Sequence, residues 1–243
     1  TKENRNGILP YDYSSAGVLA LYETENTDSR TFGYSLGYLR TDFQFEDTNH
    51  EDEANTIQLG VHNKYKTEGW EFRTDLLGRI GFNNTDREIE WNTGDVSKMS
   101  GDYTTYGAAL LNEISKDLEI RKNIKIVPYA GLKLEYGYHT GISESGGAEK
   151  LNVDNNYYYS IKPNAGVELE TAAYFGNFES WKLKVNVGVG YEYELGDTNR
   201  AERASLDSIS DEKFELGKSS DDRGEFVTNG VFGVEYQDRY GIF

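Results

Sequence analysis

Three histidines, His50, His62 and His139, are the only imidazoles in the 243 residues, and cysteine is absent. Hydrolysis of the Ser–His–Asp kind needs a histidine held between a nucleophile and an acid. His139, four residues after Glu135, comes nearest to that, but no nucleophile motif accompanies it. A histidine solvated at the edge of a polar face accounts for it better. Without thiols there is no disulfide framework, thiolate nucleophile or thiolate metal site. The run EDTNHEDEAN gathers Glu46, Asp47, Glu51, Asp52 and Glu53, oxygen donors of the kind a divalent cation takes. It lacks the D-x-[DN]-x-[DN]-G spacing of a calcium loop and reads as a solvated, self-repelling loop. NNYYYS at 155–160 offers tyrosines for stacking on a sugar, yet on a strand Tyr157 and Tyr159 face away from Tyr158. The expectation is therefore of no catalytic residue, no metal and no cofactor.

What remains is a set of charges with one shared property. Arg73, Asp75, Arg79, Lys133, Glu135, Glu168, Glu170, Lys182, Lys184, Glu192 and Glu194 all occupy the polar parity of alternating segments. Residues 181–195, WKLKVNVGVGYEYEL, place large apolar side chains at every odd position and polar residues or glycine at every even one. The same period of two recurs at 70–82, 124–138 and 157–175, and less purely near 16–24, 31–45, 55–66, 103–115 and 225–236. Period two is the signature of a strand with two unlike faces. Nine strands result, with a tenth beginning at Arg239. Connections alternate in length: short near 25–29, 67–69, 116–123, 176–180 and 237–239, long at 46–54, 83–102, 142–156 and 196–224. The last of these has room for a short irregular hairpin. Alternating short and long connections describe an up-and-down antiparallel meander.

Lipid or a second sheet could face the apolar side. Fifteen extended residues reach roughly 50 Å, well past the usual length of a strand in a water-soluble protein. They cross an apolar band about 25 Å tall with residues left over. The aromatics also sort by distance from the turns. Trp70, Phe72 and Trp181 fall near the short-turn end, whereas Tyr136, Tyr138, Tyr157, Tyr159, Tyr191 and Tyr193 fall near the long-loop end. Two such belts are expected where rings meet lipid headgroups; a sandwich core has no cause to sort rings by height. A sheet in hydrocarbon must close, because its backbone groups have no water to bond. The polar faces then line a wet lumen. A net charge of −17 leaves no basic stripe for nucleic acid. No run of 18 apolar residues offers a membrane-spanning helix. The opening TKENRNG has no signal-peptide character and suggests a mature portion or an excised domain.

Particular motifs narrow this further. IKIVPYAGLKLEYGYH at 124–139 with its PYAGL element, YYYSIKPNAGVELE at 157–170, TFGYSLGYLRTDF at 31–43, and GVFGVEY followed by RYGIF at 230–243 together resemble the translocator (β) domain of autotransporters, the type V secretion proteins. The resemblance spans nearly the whole chain. It implies an all-β, twelve-stranded transmembrane barrel in the bacterial outer membrane, with a helix from the linker running through the pore. Function would be secretion and surface anchoring of an N-terminal passenger. The implied partners are that passenger, outer-membrane lipids and the barrel-assembly machinery. One domain over 1–243 is expected, with 1–15 a lead-in loop, 16–243 barrel strands, and the family's first and last strands missing. A porin, a barrel hydrolase and a soluble β-sandwich are the competing readings.

Overall fold

The computed structural model describes residues 11–27, 29–45, 49–175, 181–197, 202–209, 211–216 and 224–236. Nine long strands carry the architecture: β1 (Tyr11–Thr27), β2 (Arg30–Phe45), β3 (Asn49–Thr67), β4 (Trp70–Glu90), β5 (Val96–Lys116), β6 (Ile124–His139), β7 (Asn156–Phe175), β8 (Trp181–Tyr193) and β9 (Gly224–Tyr236). Each pairs antiparallel with the next, and among the described residues β1 and β9 are the edges of the sheet.

Burial is inside out. In β8, Val187 is 54% exposed while Gly188 and Gly190 are buried. Val18 at 74% and Leu59 at 62% lie open on the same outer face. Among the described residues, only Met99, Val127, Val153 and Ala204 are buried hydrophobics. In water, that much exposed apolar surface is a large unfavourable term; facing acyl chains, it is the favourable arrangement. The sheet curls so that its polar face is the concave one. Arg79 on β4 reaches the hydroxyl of Tyr158, three strands away on β7.

Register shows how the strands tilt. Phe72, Ile114, Ala130, Ala165, Tyr191 and Phe226 lie in one row across β4 to β9. Phe72 is two residues from the start of β4, and Tyr191 ten from the start of β8. The stagger means that a row climbs from one end of the wall toward the other, as in tilted strands of a membrane barrel. At the short-turn end, Thr67 pairs with Trp70 across a two-residue hairpin. Glu68 at φ 48° and Gly69 at φ 78° supply the two left-handed positions that such a turn requires.

Several sequence-based boundaries change. The lead-in is shorter than 1–15, because β1 starts at Tyr11; residues 1–10 lie outside the described residues, as do Glu46, Asp47 and the tenth strand at Arg239. The 46–54 connection is mostly strand, so His50, Glu51, Asp52 and Glu53 belong to β3. The 83–102 connection is also largely strand, with only 91–95 left as the turn. Polar residues fill these outer extensions, so the apolar alternation fades although the ladder continues. The 142–156 and 196–224 connections contain a second sheet, in the order 213–216, 202–206, 151–153, 142–143. Its 202–206 and 213–216 strands form the expected hairpin.

Candidate functional site

The concave wall is the site, and every strand delivers alternate residues to it. Glu135 accepts from Lys133 at 3.1 Å and from Lys162 at 3.3 Å, and Lys162 also reaches Glu192 at 3.5 Å. One ammonium thus ties β6, β7 and β8 together. Lys162 lies on the expected polar face, but its parity alone did not reveal that it bridges two acids. Glu168 accepts from Asn186 and from Asn229, each at 2.8 Å, joining β7, β8 and β9. Arg73 and Asp75 pair at 2.7 Å along one strand, not across two. Lys182 sits 5.6 Å from the Tyr174 ring. Glu170 and Lys184 share the inward parity, and Glu194, just past β8, keeps it because Leu195 continues the same register against Ile161. The result is a polar wall in which ion pairs, asparagine amides and a ring each hold charged groups.

Glycines give this wall its strand-skipping contacts. Arg79, Gly107, Gly137 and Tyr158 occupy one register row. A Cβ at Gly107 would lie 2.4 Å from Arg79 Nε, and one at Gly137 2.2 Å from Tyr158 Cε1. The two side chains lie flat over the glycines, and Arg79 Nη2 donates to Tyr158 Oη at 3.0 Å. His62 crosses Gly33 in the same manner to reach Glu23 at 2.7 Å. Tyr129 covers both Gly166 and Gly190. A side chain at any of these positions would leave the neighbouring group nowhere to lie.

The convex face carries the aromatics. Trp70, Phe72, Tyr136, Tyr157, Tyr159, Trp181, Tyr191 and Tyr193 are exposed there, and Tyr138 is half-buried beside them. Tyr136 stacks on Tyr157, Tyr106 leans on Tyr138, and Tyr191 meets Phe226 edge-on. Near the short turns, Tyr65 packs against Phe72, and the Lys116 ammonium lies 4.6 Å from the Trp70 ring. Rings with polar tips, set at strand ends around an apolar band, suit the border between headgroups and acyl chains.

The histidines have structural partners. His50 Nε2 lies 3.1 Å from Asp52 and 3.0 Å from Thr85, His62 meets Glu23, and His139 lies 3.3 Å from Glu202. Among the described residues, no three His, Asp or Glu side chains converge to hold a metal ion.

One consequence is measurable on the purified protein. Lys162→Met leaves Glu135 and Glu192 without their shared cation. It should lower stability by about 1–3 kcal/mol, the cost of leaving a buried acceptor without its donor. A lower urea midpoint for the folded, heat-modifiable band reads this out; an unchanged midpoint would show that lumenal water screens the pairs.

The family model for the autotransporter beta-domain matches residues 1–243. No curated protein matches the chain. Among solved structures, the chain is similar to the translocator domain of autotransporter NalP from Neisseria meningitidis, with 12% identity, a TM-score of 0.61, and coverage of 93% of this chain and 82% of that one. It is likewise similar to the beta domain of the Bordetella autotransporter BrkA, with 17% identity, a TM-score of 0.61, and coverage of 94% and 92%. At these identities the likeness is one of fold, an antiparallel barrel wall with its apolar face outward, and the family match over the full chain supplies the rest. The chain belongs to the autotransporter beta-domain family: it is an outer-membrane β-barrel translocator serving the secretion of a linked passenger.

Proposed function

We propose that the concave wall keeps a hydrated passage for the passenger, and that the convex face holds the domain in lipid and so anchors that passenger at the cell surface. The observation that carries this is the inside-out burial: Val187 open to the outside, Asn186 one position away turned inward onto Glu168. The inward charges Arg73, Asp75, Arg79, Lys133, Glu135, Glu168, Glu170, Lys182, Lys184, Glu192 and Glu194 hydrate the passage, and several are held by ion pairs or by neutral side chains. The aromatic belts set the depth of the domain in the bilayer. Outer-membrane lipids are the solvent of the convex face. The barrel-assembly machinery is the partner that receives the strands, since an unpaired strand edge needs a template. The domain itself does no bond chemistry; any enzymatic activity would belong to the passenger.

The test is cellular. Full-length protein should stay in the outer membrane through urea washing and leave it only with detergent. Its passenger should be cleaved by protease added to intact cells. Extraction by urea alone, or a passenger protected until cells are lysed, would defeat the reading.

A further inference from the structure

The small second sheet occupies a definite place. Its strands, Ile142–Ser143, Leu151–Val153, Glu202–Leu206 and Lys213–Leu216, come from the two longest outer connections. Every contact named here between it and the barrel is to an inward-facing residue of the outer extensions. Arg87, on the inward parity of β4, donates to both oxygens of Glu144, at 3.1 and 2.6 Å, and to the Glu149 carbonyl at 2.9 Å. Glu144, only 6% exposed, also accepts from the Leu151 amide at 2.7 Å. Met99, inward on β5 and 2% exposed, lies under Gly147. The side chain of Ile142 covers Gly101, and Glu202 meets His139. Inside the sheet, Lys150 and the Asn152 amide bind Asp207 and hold its carboxyl below the usual range. Deeper on the concave face, and meeting the sheet only through His139, opens a cavity of about 590 Å³ lined by Leu39, Gln58, Arg79, Thr105, His139 and Tyr158.

A patch that merely decorated the rim would rest on outward or tip residues. This one is tied to the edge of β5 by the backbone of 145–147, and its remaining side-chain contacts reach onto the inner face, which leans it across the outer mouth. We propose that the four-stranded sheet is a lid over the lumen, latched to the wall by the two-pronged Arg87–Glu144 pair, and that it shuts the passage to polar solutes from outside. Charge-assisted paired bonds are strong enough to hold such a contact, yet are lost together when it opens. The lid hangs from the ends of four strands, β6 and β7 on one side and β8 and β9 on the other, and has to move aside for a passenger, so its latch sets how often the outer mouth is open. The inference rests on the concave face being a wet lumen.

These 243 residues lack cysteine, so a single Gln58→Cys places one reporter on the concave wall, and the parent protein without it gives the background from any passenger thiol. Intact cells bearing the full-length protein are treated with a membrane-impermeant polyethylene glycol maleimide. With the native latch, labelling should be slow. Adding Arg87→Ala with Glu144→Ala should speed it by about tenfold, the effect of 1.4 kcal/mol on an opening equilibrium. If that pair fails to give a heat-modifiable band, Glu144→Gln alone, which keeps the shape, should still speed labelling several-fold. Labelling that is already fast with the native latch, or that no latch variant changes in folded protein, overturns the lid. If Gln58→Cys in folded protein reacts with a lipophilic maleimide but never with the polar one, even with the latch broken, the wet lumen falls, and the lid with it.

Discussion

Val187→Arg should nearly abolish assembly into the outer membrane, whereas Asn186→Arg, one residue away, should leave most of the protein folded there. Val187 stands 54% exposed on the convex face, midway along β8, between the ring of Trp181 and those of Tyr191 and Tyr193. An arginine at mid-bilayer on the lipid face of a barrel costs about 2–4 kcal/mol. Against a total stability that is itself modest, that is a large share. Position 186 points the other way, where Glu168 already binds the native asparagine at 2.8 Å; a guanidinium there meets a carboxylate and water. Heat-modifiability of membrane-embedded protein measures both variants on one gel. Equal loss for the two would mean that the odd side chains of β8 do not face lipid, and the membrane reading would fail at its base.

Gly190→Val should be nearly as damaging, through the opposite face. A Cβ at Gly190 would lie 2.3 Å from the Tyr129 hydroxyl oxygen, and one at Gly166 2.5 Å from the same atom. The phenol lies across two glycines on two strands, so a branched side chain must lift it off the wall. Overpacking of this kind costs about 1–3 kcal/mol, with the lost ring contact added. Adding Tyr129→Ala to Gly190→Val removes the clash, so the pair should be less destabilised than the sum of the singles. Denaturant midpoints for the four proteins close the cycle. Strict additivity would mean that ring and glycine do not meet.

The two substitutions probe different kinds of information. That β8 has a greasy and a wet side is written in WKLKVNVGVGYEYEL, because strand geometry forces alternate residues to opposite faces. The same rule put Lys133, Glu135, Glu168 and Glu192 together on one face, and the order of residues along each strand showed the aromatics gathered near strand ends. Local pattern also marked the Glu68–Gly69 turn and the alternation of short and long connections. These features are local, and sequence states local features directly.

Pairing across strands is not local. Nothing near Lys162 in the chain says that its ammonium will choose Glu135 and Glu192, since that depends on the register of β6, β7 and β8. Nor does anything near Gly107 and Gly137 say that they clear a path from Arg79 to Tyr158. Stagger decided that Phe72 and Tyr191 share a row at opposite ends of their strands. The outer connections misled for a physical reason. Once strands leave the bilayer, the outer face no longer meets acyl chains, apolar alternation loses its purpose, and residues 83–90, 96–102 and 49–54 continue the ladder with mostly polar side chains. The small sheet over the mouth was likewise out of reach, because its strands come from segments some fifty residues apart. Sequence by itself determined which side of each strand is apolar and which is polar, since the period of two is a property of one strand. Only the tertiary structure decided which inward groups bond to which, because that depends on register, tilt and the room that distant glycines leave.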